Sequence, residues 1–183
     1  METATATKTK WNLDPAHSEI GFKVKHMMIT NVSGSFQKFD AQVETEDTDF
    51  TTAKIQFTAD INSITTGNKD RDNHLKSPDF FDAANYPELK FISSKLEKVN
   101  EETYVLHGNL TIRDVTKAVK LNGEFGGIGK DPWGNQKAGF TITGKINRTD
   151  FKLNWNAALE TGGVLVGEEV KLQAEVQFVK QAS

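Results

Sequence analysis

The sequence predicts an all-β domain of about eight antiparallel strands, interrupted once by a short helical segment. Segments that alternate apolar and polar residues recur along most of the 183 residues, and hairpin-length connections separate them. Neither a strand–helix–strand rhythm nor an internal repeat accompanies the segments, so the strands are expected to pair antiparallel. Between Thr66 and Tyr86 the alternation lapses, which marks the helical insertion.

Length, charge and composition limit the classes of function. A chain of 183 residues with 37% hydrophobic and 26% charged residues is expected to form one domain. The net charge of -3 and the absence of a Lys/Arg stripe argue against nucleic-acid binding. The sequence has no cysteine, which excludes disulfides, thiolate metal sites and cysteine nucleophiles. No apolar run is long enough for a membrane-spanning helix.

The amino-terminal residues, METATATKTK, are polar and rich in Thr and Ala. They lack the apolar core of a secretory signal, so we expect a disordered tail over residues 1–10 and a cytoplasmic protein, unless a longer precursor was trimmed. A single domain should then span residues 11–183.

Three strands are expected before the insertion. The first is HSEIGFKVKHMM from His17; in the second, NVSGSFQKFDAQVET, the apolar register changes, which predicts a bulge at Gln37 and Lys38. A polar turn over residues 49–52 should precede the third, AKIQFTADINSI. The expected inward side chains of the three strands are Ile20, Phe22, Val24, His26, Met28, Phe36, Phe39, Ala41, Val43, Ile55, Phe57, Ala59 and Ile61.

The insertion is expected to contain a short helix. Residues 77–79, Ser-Pro-Asp, resemble an N-cap, a first-turn proline and an early acid, which predicts a helix that includes Phe80 and Phe81. The preceding KDRDNHLK can form another helical turn, because Arg71 and Leu75 are four residues apart.

The same insertion contains a D-x-D-x-H pattern at Asp70, Asp72 and His74. On a helix Asp72 would point away from the other two, and the spacing does not match an EF-hand loop, so we predict no metal site. The segment GGIGKD lacks the residues of a phosphate loop, and no nucleophile motif is present, so no catalytic residue is assigned.

Five more strands are expected after the insertion. Their sequences are LKFISSKLEKV, TYVLHGNLTI, KAVKLNGEF, AGFTITGKI and VKLQAEVQFVK, with a hairpin turn at residues 100–102 and a long loop at GGIGKDPWGNQ. The expected inward side chains are Leu89, Phe91, Tyr104, Leu106, Gly108, Leu110, Ile112, Val119, Leu121, Gly123, Phe125, Ala138, Phe140, Ile142, Gly144, Ile146, Val170, Leu172, Ala174, Val176 and Phe178.

A sandwich and an up-and-down barrel both agree with this pattern. The inward sets mix bulky residues with Gly108, Gly123 and Gly144, and a glycine inside a strand eases a bend or leaves room beside it, which favours a barrel. An eight-stranded barrel can be filled by side chains or can hold one small ligand, and the alternation does not decide between the two.

Four polar side chains are candidates for ligand contact. His26 lies on the apolar face of its strand, where an imidazole needs a hydrogen-bond partner; a satisfied core histidine is the alternative. Arg148 is expected either to pair with Asp150 or another acid at the rim, or to meet a polar head group at the mouth. Arg71 and His74 from the insertion complete the set.

Several motifs in a fixed order give the chain a resemblance to the YceI-like family from Trp11 to about Val179. They are WNLDPAHSEIGFKVKHM, GSFQKF, NSITT, RDNHLKSPDFFD, YPELKF, HGNLTIRDVT and AGFTITGKINRTDF. The resemblance implies a lipocalin-like antiparallel barrel of eight strands that holds a long apolar molecule. Polyisoprenoids such as quinone-like or prenyl lipids are the implied ligands, with fatty-acid amides in some relatives, and homodimers are common. Many members are periplasmic and carry a signal sequence, which this chain does not show.

On this basis the chain is expected to bind and carry an isoprenoid or similar lipid, without a cofactor and without catalysis. The expected wall of the cavity is Phe22, Val24, Met28, Phe57, Phe91, Leu106, Leu110 and Phe140. The expected polar contacts are His26, Arg71, His74 and Arg148, and Phe80 and Phe81 should cover the space. Two alternatives are a lipid hydrolase or isomerase with His26 or His74 as its base, and a structural or stress-response barrel filled by its own side chains.

Overall fold

A computed structural model describes residues 7–159 and 163–181 of the protein. One α-helix, α1 (Lys69–Lys76), and short 3-10 turns at Pro15–His17, Ile61–Ser63 and Arg148–Phe151 interrupt a set of β-strands. The strands are β1 (Lys8–Leu13), β2 (Glu19–His26), β3 (Thr30–Phe36), β4 (Phe39–Glu46), β5 (Asp49–Asp60), β6 (Ile64–Thr65), β7 (Glu88–Lys98), β8 (Thr103–Ile112), β9 (Val115–Lys130), β10 (Gln136–Asn147) and β11 (Val166–Lys180).

The sheet closes into an antiparallel barrel of eight strands. The hydrogen-bonded order β1-β4-β5-β7-β8-β9-β10-β11 returns to its start, because β11 also pairs with β1 and places Lys180 opposite Trp11. Closure of this kind leaves no free edge among these eight strands. The predicted fold class is therefore confirmed, and the barrel is favoured over the sandwich because one pairing joins the first and last strands.

At one end of the barrel β2 and β3 continue the wall that β1 and β4 begin. The last residues of β11 pair with β1, and the earlier residues of β11 pair with β2. β3 in turn pairs with β2. The break between β1 and β2 lies at Asp14, whose carboxylate accepts the amide of Ala16 at 3.1 Å, followed by Pro15, which has no amide hydrogen for the ladder. β1 and β2 thus form one interrupted strand.

The register change predicted as a bulge at Gln37 and Lys38 is a corner instead. β3 pairs with β2 and β6, whereas β4 pairs with β1 and β5, so the chain changes neighbours between the two strands. Ser63 stabilises the corner: its carbonyl accepts the amide of Gln37 at 3.1 Å and its hydroxyl accepts the amide of Lys38 at 3.0 Å. The prediction was wrong because alternation alone does not distinguish an extra residue in one ladder from a switch between ladders.

Aromatic side chains close the end of the barrel formed by β1 and β4. The ring of Phe50 lies 5.2 Å from Trp11 and 5.1 Å from Phe140, and Phe125 stacks on Phe140 at 4.8 Å. Trp11 is fully buried, and its indole donates to the hydroxyl of Thr45 at 3.0 Å. We call Trp11, Phe50, Phe125 and Phe140 the aromatic floor.

Two inward glycines make room for large neighbours on adjacent strands. A Cβ at Gly108 would lie 2.4 Å from the ring of Phe91, and one at Gly144 would lie 2.3 Å from the side chain of Leu121. The strands can therefore keep their spacing while a bulky side chain crosses the glycine.

The helix of the insertion lies earlier than predicted. The amide of Arg71 donates to the N-cap residue Asn68 at 3.1 Å, and α1 ends before Ser77, which is extended at φ -75° and ψ 168°. Ser77 precedes Pro78, whose ring disfavours the helical region for the residue before it. The predicted start at Ser77 is therefore the end of the helix, and Phe80 and Phe81 lie in the turns that follow.

Three other boundaries also differ from the predictions. Residues 8–10, assigned to the tail, pair with β4 as part of β1; residues 1–6 of that tail lie outside the described part of the chain. Residues 49–52, expected to be a turn, begin β5 and bury Phe50 at 3% exposure. Residues 126–130, assigned to a loop, extend β9 opposite β10. Glycine and polar residues weakened the strand pattern in each case, and pairing with a neighbouring strand overrode it.

Candidate functional site

The barrel encloses an apolar cavity of about 650 Å³. It extends from Phe50 and Phe140 of the aromatic floor to α1, which lies over the end of the barrel where β2, β5 and β10 finish. Its size falls within the roughly 300–1,000 Å³ typical of small-molecule sites. The barrel is therefore not filled by its own side chains, in contrast to the filled-core alternative.

Seven of the eight predicted wall residues line this cavity. They come from β2, β5, β7, β8 and β10, whose alternation turns every second side chain inward. They are Phe22, Val24, Phe57, Phe91, Leu106, Leu110 and Phe140.

Met28 is the exception, and its assignment to the wall was wrong. β2 ends at His26, and Met27 and Met28 form a turn with φ angles of 53° and 61°. The side chain of Met28 is 55% exposed. The alternation of β2 was extended two residues too far, because an apolar turn has no feature in the sequence that separates it from a strand.

The polar groups of the cavity gather at the end covered by α1. All four predicted polar residues lie at this end. Gln173, midway along β11, also lines the cavity but lies away from it. The polar lining at the covered end is Lys25, His26, Thr66, Asn68, Asp70, Arg71, His74 and Arg148. The cavity thus has an apolar closed end and a polar mouth.

Arg148 is buried, with 3% of its surface exposed. Its guanidinium donates to the backbone carbonyls of Gly167 at 2.8 Å, Trp155 at 3.0 Å and Val166 at 3.2 Å, and also to that of Leu153. Burial lowers the pKa of Arg148, and the nearby charge of Glu168 offsets part of this effect.

The contacts of Arg148 differ from the expected ion pair at the rim. Its partners are backbone carbonyls rather than Asp150 or another acid. Four of the five guanidinium N–H groups are used in this way, so one N–H on Nη2 is left without a partner in the described part of the chain. The main role of Arg148 is therefore structural, because it holds backbone segments together at the mouth. One N–H group remains that can donate to a ligand.

Arg71 and Asp72 attach α1 to the preceding loop. The Arg71 side chain donates from Nε to the Thr66 hydroxyl at 2.8 Å and from Nη2 to the Thr66 carbonyl at 2.9 Å. Asp72 accepts the Thr66 hydroxyl at 2.6 Å and the Thr66 amide at 2.8 Å. Asp72 is therefore engaged in anchoring the helix, apart from Asp70 and His74. Over residues 7–159 and 163–181, the structure shows no cluster of three or more His, Asp or Glu side chains that could hold a metal ion.

An aromatic cluster closes the mouth. The His74 imidazole lies 4.6 Å from the Trp155 ring and 5.1 Å from the Phe80 ring, and Phe80 and Trp155 are 5.6 Å apart. Nε2 of His74 also contacts the carboxylate of Asp79 at 2.9 Å. We call His74, Phe80 and Trp155 the aromatic cover. Phe81 lies beside it, lines the cavity and packs against Phe36 at 6.3 Å.

Sequence reasoning missed two residues of the mouth. Trp155 lies in a segment without strand alternation, and its isolation in that segment is the only signal the sequence offers. Arg113, in the turn between β8 and β9, donates to the carbonyl of Phe80 at 3.2 Å and lies 5.8 Å from the Tyr86 ring. It therefore holds the turn after α1 against the barrel, a role that no local motif marks.

His26 lies half-buried in the cavity wall at the end of β2. Among the residues that the structure describes, its imidazole makes no hydrogen bond to another side chain or to the backbone. The sequence left open whether His26 was a satisfied core histidine or a group available to a ligand. The structure favours the second alternative, because an imidazole beside an apolar cavity retains its hydrogen-bonding capacity.

A closed antiparallel barrel around a one-ended apolar cavity defines the class of small barrel proteins that enclose a ligand. The chain belongs to the YceI-like family, whose model, described as a YceI-like domain, matches residues 11–178.

Known relatives agree in sequence and fold. A UPF0312 protein of Staphylococcus epidermidis is 42% identical over 171 residues, which cover 93% of this chain and 97% of that protein. The crystal structure of the YceI protein of Campylobacter jejuni is 35% identical, with a TM-score of 0.74 and full coverage of both chains. A polyisoprenoid-binding domain from Saccharophagus degradans is 13% identical, with a TM-score of 0.66, and covers 97% of this chain and 100% of that domain. The last similarity shows the fold alone.

Proposed function

We propose that the barrel binds and carries a long apolar lipid, of the polyisoprenoid or quinone-like class, with its tail toward the aromatic floor and its polar end at the mouth. The observation that carries this proposal is the polarity of the cavity: an apolar chamber of about 650 Å³ closed at one end, with its polar groups gathered at the other. Membership of the YceI-like family and the polyisoprenoid-binding domain of the same fold support the choice of ligand class.

Burial of the tail supplies most of the expected affinity. Each methylene moved from water into an apolar cavity contributes about 0.8 kcal/mol, so a chain of many carbons is held without specific polar contacts. Affinity should therefore increase with chain length until the tail reaches Phe50 and Phe140. The shape of the cavity and the few polar groups at the mouth then provide selectivity.

Two groups at the mouth are suited to a neutral polar head such as a hydroxyl or a quinone carbonyl. The His26 imidazole can donate or accept a hydrogen bond, and Arg148 has one N–H of Nη2 without a protein partner in the described residues. Arg71 is less available, because its Nε and Nη2 already donate to Thr66.

Two measurements test the ligand class. Organic extraction of protein purified under native conditions, followed by mass spectrometry, should yield a long-chain lipid in stoichiometric amount. Titration with all-trans prenyl alcohols of increasing length should give rising affinity, and prenyl alcohols should bind more tightly than straight-chain alcohols of equal carbon number. A protein that contains no lipid and takes up none of these probes would exclude the carrier function.

A pair of neighbouring substitutions tests the location. Ile142 lines the cavity opposite Gly123 and Ala174, small residues that leave space for a larger side chain. Ile142→Trp should therefore fold, fill part of the cavity and weaken binding of the longest prenyl alcohol by at least about tenfold. Thr143→Trp introduces the same side chain on the outer face of the same strand and should bind the probe as the wild type does. Equal affinities of the two variants would place the ligand elsewhere.

The proposal includes no chemical step. His74, one base considered for a hydrolase or isomerase, contacts Asp79 and is enclosed by Phe80 and Trp155 as part of the aromatic cover. A bound prenyl alcohol should be recovered chemically unchanged after prolonged incubation. Turnover that is abolished by His26→Ala or His74→Ala, with uptake retained, would establish the enzyme alternative instead.

A further inference from the structure

The turn between β2 and β3 exposes three consecutive apolar side chains. Met27 is 41% exposed, Met28 55% and Ile29 73%. We call residues 27–29 the hairpin tip. Elsewhere on the described surface the most exposed large apolar residue is Trp133, at 83%, in the loop between β9 and β10 at the opposite end of the barrel.

The backbone of the hairpin tip is unfavourable for the residues it contains. Met27 and Met28 both have positive φ, and the carbonyl of His26 accepts the amide of Ile29 at 3.1 Å. Positive φ at both central positions is the geometry of a type I′ turn, in which Asn and Gly are the usual residues. Two methionines in this geometry impose backbone strain and expose apolar surface, so folding of the barrel does not account for them.

The hairpin tip lies next to the mouth of the cavity. His26, which precedes it, lines the cavity. The amide of Met27 donates to the carbonyl of Leu165 at 2.8 Å, and Leu165 and Val166 also line the cavity. The hairpin tip is therefore adjacent to cavity-lining residues at the mouth.

The strands behind the hairpin tip carry several lysines, and two exposed acids, Glu168 and Glu169, lie beside them in the irregular stretch of β11 opposite Lys25. From Ile20 to Phe39 the chain contains Lys23, Lys25 and Lys38 and no Asp or Glu. Lys171 of β11 lies opposite Lys23, and Lys145 lies opposite Lys171. Glu169 contacts Lys145 at 3.9 Å, and none of Lys23, Lys25 and Lys171 forms an ion pair with a carboxylate of the described residues.

We propose that the hairpin tip inserts into the surface of a lipid bilayer that contains anionic lipids, and that Lys23, Lys25 and Lys171 contact the head groups. The exposed side chains of residues 27–29 would enter the interfacial region, as the apolar face of a peripheral membrane element does. Lysines beside such an element gain from the negative surface potential. The inference rests on the proposed function, because docking at this point brings the mouth of a lipid carrier to the source of its ligand.

Charge favours a bilayer over a second copy of the chain as the occupant of this surface. A symmetric dimer brings this patch of one subunit against the same patch of the other, so the lysines of both subunits would gather in one interface. An anionic bilayer supplies the complementary charge.

Vesicle binding by the full chain tests this proposal. Because the protein has no cysteine, Met28→Cys and Trp133→Cys can each be labelled with one environment-sensitive fluorophore. Vesicles of phosphatidylcholine and phosphatidylglycerol should shift the emission of the label at position 28 to the blue and leave the label at position 133 unchanged. Vesicles of phosphatidylcholine alone should bind at least about tenfold more weakly, since they lack the anionic head groups.

A variant that keeps the turn and removes its apolar side chains gives a second test. Met27→Asn combined with Met28→Gly supplies the residues that a type I′ turn favours, so Tm should stay the same or rise while vesicle binding decreases at least about tenfold. Trp133→Ser, at the opposite end, is the control and should bind vesicles as the wild type does. Unchanged vesicle binding by the double variant would overturn the proposal, as would a blue shift at position 133 in place of position 28.

The outcomes separate this proposal from the proposed function. Uptake of a prenyl alcohol added from ethanol, without vesicles, reports on the cavity alone and should be the same in the double variant and the wild type. Uptake with no vesicle binding would refute membrane docking and leave the carrier function intact. A blue shift at position 28 that depends on protein concentration in the absence of vesicles would identify a second copy as the occupant and would also refute it.

Discussion

The Arg148 guanidinium donates a hydrogen bond from Nε to the backbone carbonyl of Gly167, 2.8 Å away. The contact joins the end of β10 to the first residues of β11, on either side of the connection that carries Leu153 and Trp155. Carbonyls of Leu153 and Trp155, within that connection, accept from the same side chain. One buried cation therefore holds together the part of the mouth that carries Trp155.

Arg148→Met should destabilise the protein strongly. Removal of the guanidinium leaves several buried carbonyls without a donor, and each such carbonyl costs about 1–3 kcal/mol. We expect the free energy of unfolding to fall by about 3 kcal/mol in total, because the segment can relax so that some carbonyls reach water. Arg148→Lys should recover little of this loss, since one ammonium group cannot reproduce the planar fork. Urea unfolding measures both values. Lys145→Met, on the exposed face of β10, is the control and should change stability by less than about 0.5 kcal/mol.

Gly108→Ala should destabilise the barrel by about 1–3 kcal/mol. The new Cβ would lie 2.4 Å from the ring of Phe91 and 2.6 Å from the carbonyl oxygen of Ile92, and the backbone atom cannot move aside without breaking the ladder between β7 and β8. Gly129→Ala, where no atom lies within 4 Å of the new Cβ, should be close to neutral. Thermal unfolding of the two variants compares them directly, and equal Tm values would contradict the close packing at Gly108.

Asp14 should make the stability of the protein depend on acid pH. Its carboxylate contacts Nδ1 of His17 at 2.8 Å and Nζ of Lys137 at 3.0 Å. Burial raises the pKa of Asp14. The hydrogen bonds and charges of His17 and Lys137 together lower this pKa by more than burial raises it, so it lies below the usual 3.8. A depressed folded-state pKa stabilises the protein above the unfolded pKa, and this contribution is lost as the pH falls through the folded value.

Asp14→Asn should therefore be less stable than the wild type at pH 7, by about 0.5 kcal/mol for a partly exposed pair. The difference should begin to shrink as the pH falls below 3.8 and disappear below the lower folded-state pKa, where the carboxyl of the folded wild type is also neutral. Urea unfolding at a series of pH values measures it. Glu124→Gln, on an exposed position of β9, should show no comparable convergence with the wild type, and a constant difference between Asp14→Asn and the wild type would contradict the assigned cause.

Trp155→Ala should open the mouth of the cavity. The indole packs against His74 at 4.6 Å and Phe80 at 5.6 Å, so its removal takes away one side of the aromatic cover. We expect the dissociation rate of a bound prenyl alcohol to rise about tenfold, with a smaller change in the association rate. Stopped-flow transfer to an acceptor protein measures the rate. Trp133→Ala removes an exposed indole at the far end and should leave the rate unchanged.

Much of the cavity wall could be predicted from the sequence because alternation assigns side chains to faces. Phe22, Phe57 and Phe91 were placed inward on that basis, and each lines the cavity. Alternation assigns Met28 to the wrong face, because an apolar turn continues the pattern of the strand. It does not mark Phe50, because polar neighbours surround this buried strand residue in the sequence.

The mouth could be predicted less well, because its parts come from distant segments. His74 and Phe80 belong to the insertion, whereas Trp155 and Arg148 belong to the connection between β10 and β11. No local pattern states that these segments meet. The predicted helix start at Ser77 is also the end of α1. A Ser-Pro pair can begin a helix or follow one, and only contacts with the rest of the fold distinguish the two.

By itself the sequence determined the class of the fold, the antiparallel pairing of its strands and most of the side chains that face inward, since these depend on a period of two along each strand. The tertiary structure decided the rest. Pairing of β1 with β11 closed the barrel, the contacts of Phe50 with Trp11 and Phe140 sealed one end, and the carbonyls around Arg148 set Trp155 over the other. Alternation specifies a face but not the partner strand or the end at which a side chain lies, so the one-ended cavity arises only from contacts between residues far apart in the chain.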